Sequence, residues 1–166
     1  MNVLVLFDSE YGNTEQVARA IAEALPPTMS VRLERAGQVS KLDAQGVDLI
    51  IVGGPTQRHK LSASLGAVLE SAPRRSLKGV KAAAFDTRYR MAAWLSGSAA
   101  KRIAHHLRKL GAELIVPTES FFMQRDLPPE GQKRRHELEH LESGEVERAA
   151  KWAVGLARAD LAGGSA

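Results

Sequence analysis

The feature that most limits the fold is a set of short apolar runs spaced along the chain. Val3-Leu4-Val5-Leu6-Phe7, the stretch from Val47 to Gly54 (V-D-L-I-I-V-G-G) and Val80 to Phe85 hold almost no polar positions. A run of this length suits a strand buried on both faces, the condition of strands in a parallel sheet. Val31 to Glu34 alternates apolar and polar, as a half-buried strand does, and Ala112 to Val116 supplies a further run. Stretches with helical spacing lie between. Val17, Ala18, Ile21 and Leu25 form a stripe within Thr14 to Leu25, and Pro26 and Pro27 stop that helix. Leu61 to Leu69 also reads as helix. Ala99, Ile103, Leu107 and Leu110 form a stripe within Ser98 to Leu110, and Gly111 suits the left-handed position that closes it. Val146, Ala149, Ala153 and Leu156 face inward within Glu145 to Leu161, with Ser143 as the expected N-cap.

Strands alternating with helices indicate an α/β fold, a parallel sheet covered on both faces. A chain of 166 residues supplies one such domain, expected over residues 1–161, with residues 162–166 (A-G-G-S-A) as a flexible tail. The charged, proline-containing stretch from Gln124 to Glu142 reads as a long surface connection. The chain has no cysteine, which excludes disulfides, iron–sulfur ligation and thiol catalysis. The apolar start is too short for a membrane span, lacks a basic segment before it and runs into Asp8 and Glu10, so a cytoplasmic location is expected. The net charge of +4 favours acidic partners or anionic ligands.

In an open parallel sheet, ligands bind beyond the C-terminal ends of the strands. Three loops leave such ends. The first is Asp8-Ser9-Glu10-Tyr11-Gly12-Asn13-Thr14. Ser9 and Thr14 bring hydroxyls, Gly12 lets the backbone turn and come close to a ligand, and the following helix aims free N–H groups at the same place. These are the parts of a phosphate cradle. There is no lysine, so it is not a Walker A loop, and no G-x-G-x-x-G pattern is present. An ordinary capped turn is the competing reading. The second loop is Gly53-Gly54-Pro55-Thr56-Gln57-Arg58-His59-Lys60. The third is Asp86-Thr87-Arg88-Tyr89, with Trp94 close behind it.

The stretch S-E-Y-G-N-T-E, directly after a buried strand, resembles the FMN-phosphate loop of the flavodoxin family, whose form is S/T-x-T/Y-G-x-T. The second loop resembles that family's first isoalloxazine loop, and D-T-R-Y is similar to its D-S-x-Y segment. The resemblance covers Asn2 to about Leu156. It implies a doubly wound sheet of five parallel strands in the order 2-1-3-4-5, with helices on both faces. It also implies FMN held by Ser9, Glu10, Tyr11, Gly12, Asn13 and Thr14 at the phosphate, and by Pro55, Thr56, Gln57, His59, Asp86, Thr87, Arg88 and Tyr89 around the ring. Tyr89 is then the stacking platform, with Trp94 its competitor, and no catalytic side chain is implied. Electron transfer to a redox partner protein is the implied function. An FMN oxidoreductase of the NAD(P)H:quinone or protoporphyrinogen-oxidase type, acting on a small anionic substrate, is the alternative. A domain of this fold that has lost FMN is a third.

The sequence departs from the family at several points. Flavodoxins are typically acidic, whereas Arg58, His59, Lys60, Arg88 and Arg90 lie on the two ring loops here. Positive charge beside a flavin that gains electrons favours reduction, so an easily reduced flavin and an acidic partner are expected. The second loop has no tryptophan to cover the ring. It also has no glycine between Pro55 and Gly66 to turn a carbonyl toward the flavin.

His136-Glu137-Leu138-Glu139-His140 matches the H-E-x-x-H pattern of zinc peptidases. Charged neighbours, the absence of an obvious third ligand and a position away from the ligand edge argue for a solvated helical turn instead. No metal is expected. Lys133-Arg134-Arg135 lacks aromatic interleaving, so no nucleic-acid contact is expected.

Overall fold

The computed structural model of the chain describes residues 1–56, 61–90, 97–126 and 139–163, with side chains through 159. The strands are β1 (Asn2–Phe7), β2 (Ser30–Arg35), β3 (Leu49–Pro55), β4 (Lys81–Tyr89), β5 (Glu113–Leu114), β6 (Glu119–Arg125) and β7 (Glu139–Leu141). The helices are α1 (Asn13–Ala24), α2 (Ala63–Ser71), α3 (Ala99–Lys109) and α4 (Glu145–Gly163).

The strands form one sheet in the order β2-β1-β3-β4-β6-β7, with β5 also paired to β4. β1 lies second from the β2 edge, Val5 opposite Leu33 on one side and Ile51 on the other, both parallel. Side chains alternate across the sheet, and the apolar runs feed two cores at once. Leu4, Leu6, Ile50, Val52, Ala82 and Ala84 pack beneath α2 and α3, against Leu65, Leu69, Ile103 and Leu107. Val3, Val5, Leu49, Ile51, Ala83 and Phe85 pack beneath α1 and α4, against Val17, Ile21, Ala153 and Leu156. An unbroken apolar run is thus required rather than tolerated, because neither face of these strands meets water.

Under α4 the core is aromatic. Phe85, Phe121 and Trp152 meet edge to face, with ring centroids 5.8–6.1 Å apart. The Phe85 ring crosses Gly53 so closely that a Cβ there would lie 2.0 Å from Cζ. This close approach explains the first glycine of the Gly53-Gly54 pair.

The sheet corrects the expected strand count at one edge. The expected fifth strand, Ala112 to Val116, is cut to Glu113–Leu114, which pairs with the start of β4. Pairing lapses around Pro117, which has no N–H to donate. It resumes at β6, where Phe85 to Tyr89 lie opposite Glu119 to Met123. β5 and β6 share the fifth position, so the order 2-1-3-4-5 holds with an interrupted last strand. β7 then adds an antiparallel edge, with Met123, Gln124 and Arg125 opposite Leu141, His140 and Glu139. The described ends of the expected surface connection are therefore the two arms of strand pairing. At the chain's end α4 continues to Gly163, into the segment expected as tail, and residues 164–166 lie outside the described residues. Its first turn closes on Gly144, whose carbonyl accepts from Arg148 N–H at 2.9 Å, so Ser143 stands one residue outside the cap position.

Candidate functional site

The C-terminal ends of β1, β3 and β4 reach one edge of the sheet, and a cleft of about 110 Å³ opens there. Ser9, Glu10, Tyr11, Asn13 and Thr14 of the first loop line it, together with Pro55, Thr56, Thr87 and Tyr89. The two loops and the strand end that sequence reasoning singled out are therefore brought to one place.

The first loop is braced from within. Gly12 has φ of 88°, a left-handed conformation that glycine adopts without strain, and it ends the loop at the start of α1. Its N–H donates to Ser9 Oγ at 3.0 Å, and its carbonyl accepts from Gln16 N–H at 3.0 Å. A Cβ at Gly12 would meet nothing within 4 Å, so its outer side is open space. Arg35, at the end of β2, donates to the Ser9 carbonyl and brings a cation to the loop. Asn13 is buried and donates from Nδ2 to the Glu139 carbonyl at 3.2 Å.

α1 has no side-chain hydrogen bond at its N-terminus. The first N–H groups of a helix have no partner within the helix, so this end points unsatisfied donors and a positive dipole end toward the cleft. Beside it, Thr14 Oγ1 and Thr87 Oγ1 lie 2.8 Å apart, both buried. One hydroxyl proton joins the pair, which leaves the second proton to be donated outward.

α3 begins at the same edge and is capped by its own chain. Asp86, fully buried at the end of β4, accepts with Oδ2 from Thr56 Oγ1 at 2.9 Å, Ser98 Oγ at 2.8 Å and Ala100 N–H at 3.0 Å. Thr56 Oγ1 accepts from Ala99 N–H at 3.0 Å, and Ser98 Oγ accepts from Lys101 N–H at 3.3 Å. The first three N–H groups of α3 are all taken. Asp86 thus serves the helix on the far side of the sheet from Tyr89. Arg88 stands on that same side and donates from Nη1 to the Gly97 carbonyl at 3.1 Å. Thr87 and Tyr89, alternate with them on the strand, face the cleft.

Tyr89 forms part of the wall, and the Arg125 guanidinium lies 5.3 Å from its ring centroid. Arg125 also donates to the Tyr89 hydroxyl at 3.2 Å and to Glu139. Burial raises the Tyr89 phenol above its ordinary value of 10.0, and the Glu139 carboxylate adds to this against the opposing pull of Arg125. The phenol is therefore neutral at physiological pH. Tyr11 is 44% exposed and donates from its hydroxyl to Glu10 at 2.7 Å. Arg90 is a positive charge expected on the third loop beside the ring. It is held by Glu142 at 2.8 Å, with its guanidinium 4.0 Å from the Phe122 ring centroid.

Gln57, His59, Arg58 and Lys60 lie outside the described residues, as do Trp94, Lys133-Arg134-Arg135 and His136-Glu137. Met123, Glu139 and Arg35 were missed by sequence reasoning. The first two reach the site through the β6–β7 pairing, and the stretch holding Glu139 had been placed away from the ligand edge. His140 contacts Gln124 Nε2 at 2.8 Å and Asp126 at 3.7 Å. Among the described residues no group of three His, Asp or Glu side chains is arranged to hold a metal, and no helix is long and apolar enough to cross a membrane.

A family model for the flavodoxin domain matches residues 4–130. The chain belongs to the flavodoxin family. Solved flavodoxin structures share its fold over almost the whole length. Flavodoxin 2 from Bacillus cereus is 24% identical with a TM-score of 0.72, the match covering 95% of this chain and 99% of that one. A flavodoxin from the domain Archaea is 18% identical with a TM-score of 0.68, covering 95% and 97%. The rubredoxin oxygen:oxidoreductase of the anaerobe Desulfovibrio gigas is 18% identical with a TM-score of 0.69, and there 99% of this flavodoxin domain covers 37% of the longer chain. No curated protein matches in sequence.

Proposed function

We propose that this flavodoxin-family chain binds FMN non-covalently at the cleft and serves as an electron-transfer protein. The observation that carries the reading is the uncapped start of α1. Its donors, the spare proton of the Thr14–Thr87 pair and the Arg35 cation converge there, and among the described residues no side chain caps the helix start. A phosphate is the kind of group that such an end of a helix binds.

The residues present fit that group. The open side of Gly12 leaves room for an anion to approach the backbone. The two carboxylates at the rim are already engaged, Glu10 with the Tyr11 hydroxyl and Glu139 with Arg125, which lessens their repulsion toward a phosphate. Beyond the loop, Tyr89 and Met123 offer an aromatic face and a polarizable side chain to a flat ring system. FMN bound there would supply one- and two-electron redox chemistry, which no side chain of this cysteine-free chain provides. The chain's own part is to orient the ring against Tyr89, to hold the phosphate at α1 and to keep the Tyr89 phenol protonated.

Titration of the apo form with FMN and with riboflavin tests the reading. FMN is expected to bind about a hundredfold more tightly, or about 2.7 kcal/mol, because only FMN carries the phosphate. Equal affinity for the two, or no binding of either, would overturn it.

A further inference from the structure

α2 and α3 leave an open groove between them on one face of the sheet. Two cavities of about 690 and 620 Å³ lie along it and share Glu70 and His106. One wall is cationic. Lys101, Arg102 and Lys109 lie along α3, which has no acidic residue, with the imidazoles of His105 and His106 between them, and Arg74 stands at the far end. The floor is small and apolar, with Leu61, Ala67, Leu69 and Leu110 along its length.

Among the described residues some surface cations are paired, and others, Lys41, Arg75, Lys78, Arg108, Lys151 and Arg158 among them, are not. Arg19 pairs with Glu15 at 2.7 Å, Arg32 with Asp43 at 3.5 Å, Arg90 with Glu142 at 2.8 Å and Arg148 with Glu119 at 2.9 Å. Among the described residues, Lys101, Arg102, Lys109 and Arg74 have no ion pair, although all four are exposed. At the other end of the groove, Ser62 Oγ is shielded from solvent and has no hydrogen-bond partner among the described residues. α2 starts there without a side-chain cap.

We propose that the α2–α3 groove docks an acidic, partly apolar polypeptide segment of a partner protein. Carboxylates of the segment would answer the unmatched wall, since complementary charge steers and selects partners. Small apolar side chains would cover the floor. A nucleic-acid strand fits less well. It would leave the apolar floor uncovered. Docking at this face does not depend on the flavin.

The test is a titration of the ¹⁵N-labelled full chain with a short synthetic peptide of glutamate, alanine and leucine, beside an oligothymidylate and inorganic phosphate. The peptide is expected to move amide resonances of residues 61–74 and 97–110, with binding that weakens as salt rises. The double variant Lys101→Gln/Arg102→Gln should lose about tenfold in peptide affinity, and Arg19→Gln/Lys151→Gln on α1 and α4, across the sheet, should lose none. Tighter binding of the oligothymidylate, equal shifts with phosphate alone, shifts scattered over the surface, or equal losses in the two double variants would each overturn the proposal.

Discussion

Of the helices that start at this edge of the sheet, α1 and α3 are finished in opposite ways. α3 has its first three N–H groups answered by Thr56, Asp86 and Ser98, with a buried carboxylate set against the positive end of the helix. α1 has no side-chain cap, a left-handed glycine before it and open space outside that glycine. Both ends face the same physical need. The chain meets that need with its own side chains at α3 and not at α1. This supports the proposal of a phosphate at α1 beyond what the hydroxyl-rich loop offers by itself, since hydroxyls and acids near a helix start occur at both ends.

The comparison can be broken at α3 first. Asp86→Ala removes the acceptor shared by Thr56, Ser98 and Ala100, and leaves buried donors unanswered. It should cost about 2–4 kcal/mol in urea unfolding. A loss below about 1 kcal/mol would mean that α3 is not held by its cap. Glu145, buried under the hairpin, comes next. Burial pushes its carboxyl up, but hydrogen bonds from Arg148 and from the Phe122 N–H outweigh this and hold it below the ordinary value of 4.5. Its contribution is therefore fully present above that value and is lost as pH falls below it. Glu145→Gln should cost about 1–3 kcal/mol at neutral pH, with the gap to the parent chain closing in acid. A gap independent of pH would contradict the assignment.

At α1 the expected effect is smaller and selective. Thr14→Ala removes the spare hydroxyl proton and should weaken FMN about tenfold, or about 1.4 kcal/mol, while leaving riboflavin unchanged. Equal weakening of both would place the phosphate elsewhere. The smallest effect concerns His106, whose imidazole burial holds below its ordinary value of 6.5. The folded state then binds fewer protons than the unfolded chain, so stability falls as pH drops below that value. His106→Gln should flatten this part of the pH profile, as read by thermal unfolding.

The buried strands were legible because each is covered on both faces, which forces an unbroken apolar run such as Val3 to Phe7. The first loop was legible because its glycine and hydroxyls lie within a few residues of one another. The β6–β7 edge was not. Pro117 interrupts the fifth position, β7 is three residues long in a charged stretch, and only long-range pairing brings Glu139 to Arg125. Arg35 gave no signal either, since its place beside Ser9 follows from β2 lying next to β1. Asp86 and Tyr89 were read as one motif, but strand alternation sends them to opposite faces, one to cap α3 and the other to line the cleft.

The central claim is that an anion completes α1 and not α3. Amide resonances of the labelled chain, followed as FMN is added, test it directly. The account predicts that Asn13, Thr14 and Glu15 shift strongly with FMN and far less with riboflavin, while Ala99, Ala100 and Lys101 hold still. Movement at α3 equal to that at α1, or an α1 start indifferent to the phosphate, would contradict it.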